Sequence, residues 1–171
     1  MRELHETGLW PPSYFKEKSQ NVSKITTEII DLSKCLEALL YSEGAVGVAA
    51  PMVGVLNRVI SYDLQENDNK NPVKMINPEI IWTNDEKQTF EEGSICFPGV
   101  TLKIERPKQI KVKYLDIESN ERELEAEGWL STVIQHEIDY LDGKTIFDHL
   151  SPMKQKMAYK KTRKFQKEMN F

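Results

Sequence analysis

Two neighbouring residues, His136 and Glu137, carry side chains that could perform hydrolytic chemistry. In the pattern H-E-x-x-H, two histidines one helical turn apart hold one metal ion, and the glutamate beside them acts as general acid and base. This chain reads Gln135-His136-Glu137-Ile138-Asp139-Tyr140, so Tyr140 occupies the second histidine position. The sequence therefore poses the question of whether the chain is a metallohydrolase or only retains the frame of one.

The helix that carries this pattern is predicted from about residue 128 to residue 141. Its expected buried residues are Trp129, Leu130, Val133, Ile134 and Leu141. Gly143 follows at the position where a glycine commonly ends a helix. The helix therefore places His136 and Glu137 against the core of the protein.

Further elements must surround this helix. An earlier helix is predicted for residues 24–41, where apolar residues repeat with helical period after Ser23 as a possible N-cap. Short strands are predicted at residues 58–62, 74–78, 80–82, 110–114 and 122–125, with a turn at Pro78 between the second and the third. A basic C-terminal helix is predicted from about residue 152 to 169. This order indicates an α+β fold in which antiparallel strands wrap the motif-bearing helix.

Size and composition are those of a globular protein. The chain has 171 residues, of which 39% are apolar and 29% charged, and we expect one domain over residues 1–171. No run of about 18 apolar residues predicts a membrane span, and the first residues show no secretory signal. A cytoplasmic location without a membrane partner is the resulting expectation.

Charge is distributed unevenly along the chain. Residues 151–171 hold seven basic residues and one acidic residue, a net charge of +6, which leaves −10 for residues 1–150 of a total of −4. The basic residues are Lys154, Lys156, Lys160, Lys161, Arg163, Lys164 and Lys167. Such a tail is typical either of an RNA contact or of a solvated helix end. The acidic body argues against a free-standing RNA-binding module, and DNA is not an expected partner.

The two cysteines, Cys35 and Cys96, do not indicate a disulfide framework, because no signal peptide accompanies them. Cys35 lies in the apolar pattern of the first predicted helix. We therefore expect it to pack as a small buried side chain.

Three segments together resemble the motifs of the peptide deformylase family. Ala45-Val46-Gly47-Val48-Ala49-Ala50-Pro51-Met52 is similar to G-x-G-x-A-A-x-Q, and Glu92-Gly93-Ser94-Ile95-Cys96-Phe97-Pro98 is similar to E-G-C-L-S-x-P. The segment that begins at Gln135 is similar to Q-H-E-x-D-H-L, and the pair Arg106-Pro107 also looks like the family. Order and spacing match over essentially the whole chain.

The resemblance implies a hydrolase that removes formyl groups from the N-terminal methionine of new proteins. In the family, one Cys and two His hold a ferrous or similar ion whose bound water attacks the formyl carbon. The glutamate, here Glu137, moves the proton, while a glutamine amide and a backbone N–H, here that of Ile95, stabilise the oxyanion. By resemblance, the substrate-binding positions are Val46, Gly47, Met52, Gly93 and Ile95.

This chain departs from the family where the chemistry takes place. The ligand cysteine is Ser94, the second ligand histidine is Tyr140, and the oxyanion glutamine is Met52. A neutral hydroxyl and a phenol with a reference pKa near 10 are poor ligands for a ferrous or zinc ion. A thioether has no N–H to donate. No metal is therefore expected, and any metal would be a weakly bound Fe, Zn or Ni ion at His136.

Other residues offer little replacement for the missing ligands. Cys96 lies two residues beyond Ser94, and in an extended segment the two positions would be about 6.6 Å apart. A packed free thiol is the favoured interpretation of Cys96. His5 and His149 are interpreted as a terminal and a loop histidine. Ser94 and Tyr140 could hydrogen-bond each other or His136 and so satisfy the buried polar groups without a metal.

Two functional hypotheses follow. In the first, the protein keeps the fold but has lost metal-dependent deformylation, and it retains binding of N-terminal methionyl peptides or of the ribosome. In the second, it is an active but atypical deformylase or hydrolase with Glu137 as base. In bacterial members of the family the C-terminal helix docks on ribosomal RNA, so the resemblance gives the basic tail a specific meaning.

Overall fold

Three helices and two antiparallel sheets form the part of the chain that the computed structural model describes, residues 13–66 and 69–168. The helices are α1 (Thr27–Ser42), α2 (Gly128–Leu141) and α3 (Pro152–Glu168). The strands are β1 (Gly47–Ala49), β2 (Val59–Tyr62), β3 (Val73–Thr83), β4 (Lys87–Gly93), β5 (Thr101–Pro107), β6 (Gln109–Leu115) and β7 (Glu121–Glu127). Short 3-10 helices span Ser13–Lys16, Ala50–Val53 and Ile146–His149. The predicted α+β class is thus confirmed, while His5 lies outside the described residues.

The two sheets surround α2. Five strands are ordered β1-β2-β3-β6-β7, and β4 and β5 form a separate two-stranded sheet. Helix α2 contacts strands of both sheets, and ten of its fourteen residues are buried, including His136 and Glu137. Its bounds agree with the prediction, and Gly143 beyond its end has a φ of +72°. Two residues differ from the expected burial: Trp129 lies at 38% exposure and packs edge-on against Phe90, and Leu130 is only partly buried.

Helix α1 begins later than the sequence pattern predicts. The N-cap is Thr26 rather than Ser23, and a residue of the preceding segment, Val22, is fixed to β3. There the Asn77 side chain bonds both the N–H and the C=O of Val22, at 2.8 and 2.9 Å. The predicted burial of Cys35 is wrong: it lies on the exposed side of α1, and the buried side is filled by Ile29, Leu36, Leu39 and Leu40. A small side chain on an amphipathic helix fits either side.

The two short strands predicted around Pro78 are one strand, β3. The strand continues through the proline because its register with β6 shifts there. Asn77 takes up the irregularity with a φ of +52°, a conformation that asparagine tolerates better than most residues. A proline at a bulge removes no ladder hydrogen bond, so it does not end the strand.

Helix α3 packs on the body through a narrow side. Ala158 and Thr162 are buried, and the Tyr159 ring lies 4.4 Å from that of Phe147. The seven basic residues of the segment are all exposed. The helix is therefore anchored on one side and presents a cationic surface on the other. Within the described ranges, no helix is long and apolar enough to cross a membrane.

Candidate functional site

A cavity of about 390 Å³ lies between β1, α2 and the segment that follows β4. All five residues predicted to bind substrate line it: Val46, Gly47, Met52, Gly93 and Ile95. Ser94, His136 and Glu137 line it as well, and Trp129 contributes to its wall. Tyr140 is not among the lining residues and is buried at 1% exposure. The structure thus assembles the sequence-predicted residues in one place, with Tyr140 in the adjoining core.

Ser94 and Tyr140 are joined directly. Their hydroxyl oxygens lie 2.7 Å apart, and the backbone N–H of Cys96 donates to Ser94 Oγ at 3.2 Å. The segment is a turn, closed by the Phe97 N–H on the Ser94 carbonyl at 2.9 Å, and not the extended segment that the sequence suggested. The hydrogen bond between the two altered ligand positions agrees with the expectation from sequence.

The turn brings the Cys96 thiol close to both hydroxyls. Cys96 is buried, as predicted, and interacts through its side chain with Ser94 and Tyr140. Burial raises the pKa of this thiol to about 12, so it is a neutral thiol at pH 7. The thiolate is the metal-binding form, and burial disfavours it here.

Tyr140 is likewise held in its neutral form. Burial raises the pKa of its phenol well above the usual value of 10.0, and the neighbouring Cys96 adds to the effect. The ring packs edge-on against Phe15, with centroids 5.6 Å apart. A phenolate ligand is therefore disfavoured at this position.

His136 is oriented by a buried chain of charges that begins at Glu92. Its Nδ1 lies 2.8 Å from Glu92 Oε2, and Arg106 bonds the same carboxylate at 2.6 and 3.0 Å. Arg106 also donates to Asp139 at 2.8 Å, and Asp139 lies 2.9 Å from His149 Nε2. Burial alone would raise the pKa of Glu92, but its bonds to His136 and Arg106 lower it overall. An ionised Glu92 can only accept, so Nδ1 carries the proton and Nε2 is directed elsewhere.

The pKa of His136 is raised overall. Burial acts in the opposite direction, but the bond to Glu92 and the charge of Glu137 outweigh it. Glu92, Arg106 and Asp139 all lie in the motif segments of the sequence. The motifs did not indicate that these three side chains contact each other. A signal for the ion pair was present at Arg106, because an arginine among the apolar residues of a strand suggests a buried partner of opposite charge.

Glu137 lacks the partners that its neighbour has. It is 3% exposed, and its Oε2 has no hydrogen-bond partner. Burial raises the pKa of this carboxyl to about 7, against the opposing effect of His136. A Cβ atom added at Gly47 would lie 2.6 Å from Glu137 Oε1, so only glycine leaves room for this carboxylate. The sequence pattern predicted the position of Glu137 but not its isolation.

These residues do not fit a divalent metal. The donors at the three ligand positions are a hydroxyl, a phenol and one imidazole, and the first two are already bonded to each other. Across residues 13–66 and 69–168, no group of three or more His, Cys, Asp or Glu side chains is placed to hold a metal ion. Ferrous, zinc and nickel sites in proteins rely on thiolate, imidazole or carboxylate ligands. The donor set therefore lacks two of the ligands that such a site requires.

The fold and the site define the class as an α+β domain with a His-Glu pair on a central helix beside a cavity. The family profile described as Polypeptide deformylase matches residues 9–156, and the chain belongs to this family.

Similar proteins include curated relatives and solved structures. The chain is 46% identical over 151 residues to the protein named "Peptide deformylase-like" of Rickettsia conorii, covering 88% of this chain and 82% of that one. It is 38% identical over 160 residues to "Peptide deformylase 1" of the same organism, covering 90% and 91%. The crystal structure of a peptide deformylase from Legionella pneumophila matches with a TM-score of 0.88 and 32% identity, covering 94% of each chain. The predicted deformylase-like fold is thereby confirmed.

Proposed function

We propose that this protein is a deformylase-family member that no longer performs metal-dependent deformylation and instead binds N-terminal methionyl peptides near the ribosome. The proposal has a catalytic part, a binding part and a ribosomal part. Each part is supported by a different set of residues.

The hydrogen bond of 2.7 Å between Ser94 and Tyr140 carries the catalytic part. Both residues stand at ligand positions of the family motif, and the bond satisfies their hydroxyls without an ion. Neutral hydroxyls stand at two of the metal-ligand positions, and Met52 replaces the glutamine amide. These changes remove separate components of one mechanism. Without a metal to lower its pKa, a bound water is a poor nucleophile at pH 7.

The binding part is supported by the retained cavity. Its lining combines the apolar side chains of Val46, Ile95 and Val133 with the backbone of the edge strand β1. An edge strand offers unpaired backbone groups to which an extended peptide can add.

The ribosomal part is supported by α3. All seven of its basic side chains are exposed, while its packed side faces the body through Ala158 and Thr162. A one-sided cationic helix on an acidic body is suited to phosphate contacts. It would keep the protein in the cytoplasm, beside its peptide ligands.

Metal analysis and turnover test the catalytic part. The purified protein should contain less than stoichiometric Fe, Zn or Ni by elemental mass spectrometry, and it should not hydrolyse formyl-Met-Ala-Ser. The triple variant Ser94→Cys, Tyr140→His, Met52→Gln should acquire a bound metal and turnover, because the surrounding frame is retained. Stoichiometric metal together with turnover in the unaltered protein would instead establish an atypical active deformylase.

Cosedimentation with ribosomes tests the ribosomal part. Binding should weaken as salt rises, since each phosphate contact releases counterions. A variant with Lys160, Lys161 and Lys164 changed to Glu should lose binding but keep its thermal stability. Binding that is insensitive both to salt and to these changes would contradict a role for α3.

A further inference from the structure

A pair of exposed apolar side chains lies on the solvent side of the five-stranded sheet, separate from the cavity beside α2. The pair is Ile81 and Trp82, consecutive residues of β3, and Trp82 is 51% exposed. The register of β3 with β6 shifts between Ile80 and Trp82, which leaves Ile81 as an extra residue and lets both side chains reach solvent. A second cavity, of about 600 Å³, opens beside Trp82. Adjacent large apolar side chains at this exposure indicate a contact surface.

The rim of this surface is acidic. Glutamates occupy every second position of β7, the edge strand of the sheet, and all four are exposed. They are Glu121, Glu123, Glu125 and Glu127. Strand β6 contains two lysines, and Lys111 lies 2.9 Å from Glu125 while Lys113 lies 3.3 Å from Glu121. Exposed ion pairs of this kind are weak, so the surface keeps an excess of negative charge for a cationic partner. We call Ile81, Trp82 and the four glutamates the β3–β7 face.

A complementary surface lies on α3 of the same chain. Met153 and Met157 are 75% and 67% exposed and stand one turn apart on one side of the helix. Lys161 and Lys164 continue this side toward the end of the helix, and both are exposed. Lysines alone are suited to phosphate, but exposed methionines in line with them are suited to a protein surface that is both apolar and acidic.

The spacing of the two surfaces agrees. Neighbouring strands lie about 4.8 Å apart, so the backbones at Trp82 on β3 and Glu125 on β7, with Lys111 between them, are about 10 Å apart. Seven residues of an α-helix rise about 10.5 Å and complete nearly two turns, so Met157 and Lys164 are separated by a similar distance on one side of α3. A helix that lies across the strands with Met157 on Trp82 therefore places Lys164 at Glu125.

We propose that α3 of one copy of this chain docks across the β3–β7 face of a second copy, with its methionines on the apolar pair and its lysines on the glutamates. The net charge of +6 on residues 151–171 and of −10 on residues 1–150 favours this pairing over a contact between like surfaces. The inference does not rest on the proposed function. It goes beyond that function, because self-association and ribosome binding through the same side of α3 exclude each other.

Sedimentation velocity of the full chain over a range of concentrations tests the docking. The wild type should self-associate at low salt, and its dissociation constant should rise at least about tenfold between about 0.05 and 0.5 M salt. Reversal of α3 by Lys160→Glu, Lys161→Glu and Lys164→Glu should give a monomer, and so should reversal of β7 by Glu123→Lys and Glu125→Lys. A mixture of the two reversed proteins should associate again, because the α3 of each then matches the β3–β7 face of the other.

Matched controls separate this contact from a general effect of charge or hydrophobicity. Glu91→Lys with Glu105→Lys reverses two exposed glutamates of the other sheet and should leave self-association unchanged. Trp82→Ala should weaken self-association about tenfold or more, whereas Ile117→Ala, at an exposed apolar residue of the turn between β6 and β7, should not. Thermal unfolding of each variant verifies that it is folded.

Three results would overturn the proposal. The first is a wild type that stays monomeric at every concentration, and the second is a mixture of the two reversed proteins that stays monomeric. The third is equal weakening by the control pair at Glu91 and Glu105, which would assign the association to net charge and not to the β3–β7 face. No ribosome enters this experiment, so its failure is distinguishable from failure of the ribosomal part of the proposed function.

Discussion

Replacing Glu137 by glutamine should stabilise the protein, and the gain should depend on pH. Burial raises the pKa of this carboxyl from 4.5 to about 7. A carboxyl with a raised pKa in the folded state contributes its full stability below the unfolded pKa and loses it as the pH rises through the folded one. The wild-type protein therefore loses stability as the pH rises from about 4.5 to about 7 and carries the full penalty above pH 7, while Glu137→Gln does not.

The size of this effect follows from the same shift. One pKa unit corresponds to about 1.4 kcal/mol, so a shift from 4.5 to about 7 corresponds to about 3 kcal/mol of unfolding free energy. The stability of Glu137→Gln relative to the wild type should thus increase by about 3 kcal/mol between pH 4.5 and pH 8. The difference at low pH reports only the exchange of a neutral carboxyl for an amide.

Urea unfolding at several pH values between 4.5 and 8.5 measures this difference. Glu91→Gln provides the control, because the same substitution at an exposed position should change stability by about 0.5 kcal/mol or less throughout. A difference between Glu137→Gln and wild type that stays constant over this pH range would refute the reasoning. It would mean that a partner in solution, such as water in the cavity, already compensates the charge.

Three further substitutions probe the site. Tyr140→Phe removes the hydroxyl bonded to Ser94 and should lower the unfolding free energy by about 1–2 kcal/mol in urea, whereas a value near zero would show that the bond does not contribute. Gly47→Ala places a Cβ 2.6 Å from a carboxylate oxygen and should cost about 1–3 kcal/mol and abolish peptide binding by calorimetry. Arg106→Met removes the guanidinium that pairs with both the buried Glu92 and the partly buried Asp139 and should lower stability by about 3–5 kcal/mol, and a thermal melt like that of the wild type would contradict this.

The sequence predicted α2 to the residue because periodicity, a following glycine and a buried environment all agree there. It did not predict β4 and β5. Buried and exposed residues alternate along both strands, as is usual for a strand with one face on the core. Two of the buried residues, Glu92 on β4 and Arg106 on β5, are charged, so the alternation of apolar and polar residues is interrupted. The two side chains satisfy each other at 2.6 Å, and a buried ion pair of this kind is invisible to a rule based on hydrophobicity.

The candidate site was predictable in its members but not in its geometry. The motifs brought together Ser94, His136, Glu137 and the lining residues, and the bond between Ser94 and Tyr140 is one of the two arrangements that the sequence left open. The closeness of Cys96 was not, because it depends on a turn that the Phe97 N–H closes after Ser94. The isolation of Glu137 also depends on where donors from distant segments lie, which spacing along the chain does not contain.

The bond between Ser94 and Tyr140 has a consequence for how the folded fraction of this protein depends on the metal concentration in the cell. A protein whose core includes a metal centre is stabilised by the free concentration of that metal, and its folded fraction falls when the metal becomes scarce. In this protein the hydroxyls at two of the metal-ligand positions are hydrogen-bonded to each other. Under the proposed loss of the metal site, folding carries no thermodynamic link to iron or zinc, and this protein should stay folded under metal starvation or chelation.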